Sequence, residues 1–285
     1  MKEKNNILKN IFTLPVTIYV FTLILLPLVY IFFISFCKSD SYGGIIYQFT
    51  LNNYVDIFDI TYLKILFKSS LIALITTIIC ILIAYPFALV LREKNERIKN
   101  LVTKLVMIPF LTNSLIRTYG WIVLLRKNGV INNTLTNLDI IENPLNLMYN
   151  NLGIIIGMVY TLLPFMILPV CSSVFKLDNN LIEAGKDLGA NKWQIFKEII
   201  LPQTLSGVFS GSLMVFIPAI GYFFIADILG GGKVMIIGNL IKNQFLTARN
   251  WPFGSAISIF LIILTFLLVW IYKKVGGKMD DLGGF

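Results

Sequence analysis

Residues 152–175 read LGIIIGMVYTLLPFMILPVCSSVF, an apolar run without a charged side chain. As a helix rising about 1.5 Å per residue, it is long enough to cross the ~30 Å hydrocarbon core of a bilayer. A soluble core helix is shorter and carries a polar stripe, which this run lacks. Working outward, the same pattern recurs at Ile11–Phe36, Leu66–Leu91, Leu101–Leu125, Thr204–Ile228 and Gly254–Tyr272. The reading is an all-α integral membrane chain of six spans. Composition agrees: 56% of the 285 residues are hydrophobic, 14% are charged, and mean hydropathy is +0.79, whereas soluble domains carry about a quarter charged residues. No linker or low-complexity stretch divides the sequence, so residues 1–285 read as one transmembrane domain. The first run exceeds the ~7–15 residues of a signal-peptide core, and no small-residue cleavage site follows Cys37, so it is expected to stay as a span.

Orientation follows from the basic residues in the connections. With the N-terminus inside, fifteen Lys and Arg fall on the inner side, among them Lys2, Arg92, Arg97, Lys186 and Lys273; seven fall outside, among them Lys38, Arg126 and Arg249. Both termini are therefore expected in the cytoplasm, with the chain in a bacterial inner membrane and in contact with lipid. The net charge of +9 reports this asymmetry and gives no reason to expect nucleic acid as a partner. There is no histidine, which removes Ser–His–Asp triads and the usual zinc sites. Cys37, Cys80 and Cys171 share no ligand spacing. Gly230-Gly231-Gly232-Lys233 lacks the spacing and the Ser/Thr of a phosphate-cradling loop. The chain is read as a non-enzyme that binds no cofactor. Pro15, Pro27, Pro86, Pro109, Pro164, Pro169 and Pro218 punctuate the spans and can hinge them.

The inner connection 176–203 has a pattern of its own. Asn180 can cap a helix with Glu183 reaching back to it, and Leu181, Ala184, Gly185 and Leu188 then recur on one face. Gly189 ends this helix, and a second, Trp193–Ile200, is expected to stop at Leu201-Pro202. Small residues on the first helix permit close docking of another protein. The run Glu183-Ala184-Gly185, Gly189, Ile199, Leu201-Pro202 resembles the EAA loop of ABC-importer permeases, with Gly185 where the family usually has Ala. Leu51-Asn52-Asn53-Tyr54, Pro109, Ser114-Leu-Ile-Arg117, Asp227-Ile-Leu-Gly230-Gly231 and Asn243–Gly254 are similar to the polyamine branch, and most of all to the first permease subunit of spermidine/putrescine importers.

That resemblance implies the type I ABC-importer fold. It also implies a second homologous permease, two copies of an ATP-binding subunit that uses ATP and magnesium, and an extracytoplasmic polyamine-binding protein. Glu183, Ala184, Gly185, Leu188 and Gly189 would couple to the ATPase. Asp227 would suit a polycationic amine if it faces the path; equally, it can be a helix end solvated by headgroups. Tyr119, Trp121 and Tyr160 offer ring faces to ammonium groups, and the first two also suit an interfacial belt. Arg117 would pair at a subunit interface. Permeases of the same fold carry other solutes, such as ferric iron, thiamine or opines. An ion-driven secondary transporter is the alternative class; it would want several buried ionisable groups and an internal repeat, and only Lys68, Arg117 and Asp227 approach the first condition.

Overall fold

The computed structural model describes residues 14–40 and 43–274. Helices dominate it: α1 (Leu14–Ile34), α2 (Asn52–Asp56), α3 (Ile60–Arg92), α4 (Glu96–Leu111), α5 (Ser114–Leu125), α6 (Val130–Asn137), α7 (Asn151–Phe175), α8 (Asn179–Asp187), α9 (Lys192–Gly221), α10 (Phe223–Gly230), α11 (Ile237–Leu246) and α12 (Trp251–Lys274). An antiparallel hairpin, β1 (Cys37–Ser39) and β2 (Ile45–Phe49), follows α1. Among the described residues, α1, α3, α7, α9 and α12 are long and apolar enough to cross a membrane. Residues 11–13 of the first expected span, with Lys2, Lys4, Lys9 and Lys278, lie outside the described residues.

The third expected span is not one helix. Its apolar run is cut after Leu111, where Thr112 turns extended and Asn113 accepts a hydrogen bond from Leu115 N at 2.8 Å. An asparagine that caps a new helix competes with continuation of the old one, and Pro109 has already removed a donor from the last turn. The fifth is also broken, at Tyr222, whose backbone (φ −72°, ψ 65°) is that of an inverse γ-turn. Conversely, the expected stop at Pro202 does not occur, and α9 runs through it. A π turn precedes the proline, closed by Leu201 N–H donating to Phe196 O. The same device precedes Pro27, with Leu26 N–H donating to Phe21 O. The wider turn makes room for a ring that would otherwise strike the preceding turn.

The chain forms two compact units, one from residues up to Leu63 with Leu240–Leu264, the other from Lys64–Asn239 with the residues from Thr265; it passes between them within α3, α11 and α12. In the first unit, buried Asn53 donates to Ser35 O (2.9 Å) and Cys37 O (2.8 Å). Tyr54 meets Ser35 Oγ at 2.7 Å, and Phe36 stacks on Phe49. Asn53-Tyr54 therefore pins the hairpin to the end of α1.

The core of the second unit is α7, with Met158, Leu162, Met166, Val170 and Val174 fully buried. Helix α9 lies against it through Gly207 and Gly211, four residues apart. A methyl group at Gly207 would lie 2.1 Å from Ser173 Oγ and 2.6 Å from Pro169 O; one at Gly211 would lie 2.7 Å from Met166 Sδ. Gly157 does the same for α10, against Leu229 and Ile225. Small residues at four-residue spacing are how helices approach closely in lipid, where no hydrophobic force pairs them. Gly207→Ala is expected to lower stability by about 1–3 kcal/mol, as overpacking does. Gly120→Ala, with nothing within 4 Å of the added methyl, should be neutral or gain about 0.5–1 kcal/mol. Thermal unfolding of the two variants in detergent checks this, and equal midpoints would refute the packing.

Candidate functional site

The loop between α7 and α9 folds into a compact elbow. Asp178 caps α8 by accepting from Asn180 N at 2.9 Å, so Asn180 lies inside the helix and is not its cap. A reciprocal capping box does form, one helix later: Gln194 N donates to Asn191 Oδ1 (2.9 Å), and Asn191 N donates to Gln194 Oε1 (2.8 Å). Between the helices Gly189 takes φ +79°, with its N–H on Lys186 O (2.9 Å), while Ala190 N–H bonds Gly185 O (3.0 Å). This helix-ending turn needs the left-handed conformation that glycine adopts freely. Arg92, at the end of α3, donates to Leu177 O (3.1 Å) and Asn179 Oδ1 (2.5 Å). Tyr85 reaches Thr204 Oγ1 at 2.7 Å and packs edge-on against Phe196, and Phe196 stacks on Trp193.

The expected docking face divides in two. Glu183, Ala184 and Leu181 are exposed, and Leu188 is 88% exposed. Gly185 instead is buried against α9, where a methyl group would lie 2.7 Å from Ile199 Cδ1. Its place is the joint within the elbow, and its lack of a side chain is what lets α8 close on α9. Trp193, 69% exposed, joins the outward apolar surface; it had been read only as the start of a helix.

A second cluster sits where helices break. Arg117 and Trp121, one turn apart on α5, face Tyr160 on α7. The guanidinium carbon is 5.9 Å from the Tyr160 ring centre, and the Trp121 ring meets Tyr160 edge-on at 5.3 Å. Arg117 Nε and Nη1 are buried with no hydrogen-bond partner among the described residues. Tyr119 does not belong to this group: two residues along a helix is about 200° of rotation, and Tyr119 is 59% exposed.

Asp227, on α10, accepts from Asn239 Nδ2 at 2.5 Å. Asn239 is buried, donates also to Phe223 O (3.1 Å), and accepts from Ile236 N (3.2 Å). One amide thus ties Asp227 to the start of α10 and to the entry of α11. Close by, Gly238 lets α11 approach the broken end of α9, since a methyl group there would lie 2.4 Å from Gly221 O. Asn239 escaped the sequence reading; its signal was an amide embedded in the apolar run Ile236–Leu240. Among the described residues no three His, Cys, Asp or Glu come together as metal ligands would.

A family model for the binding-protein-dependent transport system inner membrane component matches residues 2–281. The spermidine/putrescine transport system permease protein PotB of Haemophilus influenzae is 42% identical over 280 residues, 98% of each chain. PotB of Escherichia coli K12 is 42% identical over 257 residues, 90% of this chain and 94% of that one. Among solved structures, a bacterial alginate ABC transporter in complex with an alginate pentasaccharide-bound periplasmic protein matches with TM-score 0.75 at 15% identity, over 94% of this chain and 93% of the other. An inward-facing MetNI methionine ABC transporter matches with TM-score 0.54 at 17% identity, over 75% of this chain and 93% of the other. At such identities the likeness speaks for the fold alone.

Gly185→Leu is expected to wedge α8 off α9 at a cost of about 1–3 kcal/mol, exposing the elbow to protease at Lys186. Ile199→Ala in the same chain should restore protection by vacating the space. Full protection of the single variant would show that Gly185 is not the joint.

Proposed function

The chain belongs to the family of binding-protein-dependent transport system inner membrane components, and we propose that it is the polyamine permease of an ATP-driven importer, with spermidine or putrescine as cargo. It is a membrane subunit and not the ATP-hydrolysing one. The observation that carries the reading is the end-to-end likeness to the PotB permeases. In this proposal the pathway forms with a second homologous permease. Two copies of an ATPase bind ATP and magnesium, and an extracytoplasmic binding protein delivers the amine. The excess of basic residues on one side, fifteen against seven, supports a topology in which the α8 elbow and both termini face the cytoplasm.

The geometry suggests how the parts work. The exposed Leu181, Glu183, Ala184, Leu188 and Trp193 offer the ATPase a small apolar knob with one carboxylate. Motion of the elbow enters α9, a helix of 30 residues and so about 45 Å long. The glycine contacts with α7 and the Tyr85–Thr204 bond fasten α9 to its neighbours beyond Pro202, so displacement would be delivered to the break at Tyr222. Beyond that break lies Asp227. A carboxylate there can take charge-assisted hydrogen bonds from an ammonium group, with the Asn239 amide fixing its orientation. Broken helices lining a path recur at transport sites because their freed backbone groups can face the solute.

Reconstitution tests the reading. Membranes holding this chain, its partner permease and the ATPase, supplied with loaded binding protein, should accumulate labelled spermidine or putrescine only with ATP. A cysteine replacing Lys186 should react only from the ATPase side. Asp227→Asn should slow uptake about tenfold, the effect of ~1.4 kcal/mol at the limiting step, with assembly unchanged. Absence of polyamine uptake by the intact complex would overturn the assignment, and undiminished uptake by Asp227→Asn would remove that residue from the path.

A further inference from the structure

A cavity of about 390 Å³ opens within the first unit, between residues 56–62 and residues 244–253. The first segment contributes Asp56, Asp59 and Tyr62; the second contributes Gln244, Asn250 and Phe253, and among the described residues no basic side chain lines it. We propose that this cavity is a binding site for an organic ammonium group, one end of a polycationic amine, an assignment that rests on the polyamine reading above.

Size and chemistry narrow the ligand. The volume is that of a small-molecule pocket and far exceeds a bare metal ion, and the described residues gather no three-ligand cluster. Tyr62 and Phe253 pack with ring centres 4.9 Å apart, forming an aromatic wall that favours an organic cation over a hydrated inorganic one. Neither Asp56 nor Asp59 is ion-paired among the described residues, so a cation entering the cavity meets two carboxylates free to receive it. Asp59 Oδ1 accepts from Thr61 N at 2.8 Å, and that hydrogen bond holds its carboxyl below the ordinary carboxylate range. Asp59 therefore stays charged through neutral and mildly acidic pH. Asn250 Oδ1 accepts from Phe253 N at 3.2 Å, which fixes its amide beside the rings.

Local structure explains some of these residues and leaves others over. Asn53 and Tyr54 are accounted for by the hairpin they pin, and Asp59 precedes α3 as a turn-forming residue. Asp56 is the last residue of α2, where the helix dipole disfavours a negative charge; no local gain accounts for it. The run Asn243–Gly254 had been singled out in the sequence without a task, and it supplies the other half of the cavity.

The test uses the assembled transporter in nanodiscs without its binding protein, and radiolabelled spermidine as probe. Saturable binding is expected, weakening as NaCl shortens the Debye length from about 10 Å at 0.1 M to 3 Å at 1 M. Asp56→Asn with Asp59→Asn should weaken it at least tenfold and abolish the salt dependence. The amide oxygen of Asn at 59 still accepts from Thr61 N, so the fold is kept. Asp56→Asn alone, at an exposed side chain, should weaken binding several-fold and carries the test if the double variant assembles poorly. No saturable binding, or unchanged affinity in the variants, would overturn the cavity. If wild-type membranes still import spermidine in that case, the polyamine reading stands without it; if they import none, the polyamine reading itself has failed.

Discussion

In hydrocarbon there is no water to take up a backbone N–H or C=O that a helix leaves unpaired, and each such group costs several kcal/mol. Three departures from regular helix among the described residues answer that constraint. At Thr112–Asn113 a side-chain carbonyl serves the first amides of α5. Before Pro27 and Pro202 a wider turn keeps the amide ahead of each proline bonded, five residues back. At Tyr222, by contrast, the chain turns within one residue and leaves the end of α9 open, with Gly238 of α11 close beside Gly221 O. Two apolar runs that could have been plain spans are thus broken where polar and aromatic groups collect. The helix that enters the second of them, which a proline should have ended, is continuous from the elbow to the break.

That continuity gives the second unit its mechanical character. Glycines at 207 and 211 bring α9 onto α7 so closely that no methyl group fits between them, and such packing transmits displacement without bending. The elbow at one end is held by short-range capping and by Arg92; the cluster at the other is held by one buried amide, Asn239. Of the two ends, the second holds buried guanidinium nitrogens, Arg117 Nε and Nη1, with no hydrogen-bond partner among the described residues. A group in that condition is costly, which makes the broken-helix end the place where a change of state has most to gain.

Long helices were legible because their signal is collective. The runs at 66–91, 152–175 and 254–272 need only length and apolarity, and each lies within a single helix. The two-helix loop was legible from caps and a glycine stop, although its capping box belonged to Asn191 and not to Asn180. The breaks were not, because one residue decides each of them. Asn113 sits in an apolar stretch as any tolerated polar residue would, and Tyr222 carries no turn signature beyond the glycine before it. Pro202 misled in the opposite sense, since sequence rules treat proline as a stop and do not register a π turn that absorbs it. Tyr119 could have been separated from Trp121 by helical phase alone. Which way Gly185 faced could not, because both neighbouring faces of α8 are apolar and only the packing of Ile199 chooses between them.

Transmission from the elbow to the helix break requires α9 to act as one rigid element. Spin labels on cysteines replacing Lys192 and Gly221, both exposed, measure it directly in the assembled transporter. A single narrow distance near 43 Å is expected, about the rise of a continuous helix between those residues, constant to about one residue rise (~1.5 Å) with and without trapped ATP. A second distance population, or a shift of about 5 Å, the length of one helical turn, on nucleotide binding would show that α9 bends in operation, at Pro202 or Pro218, and would contradict it.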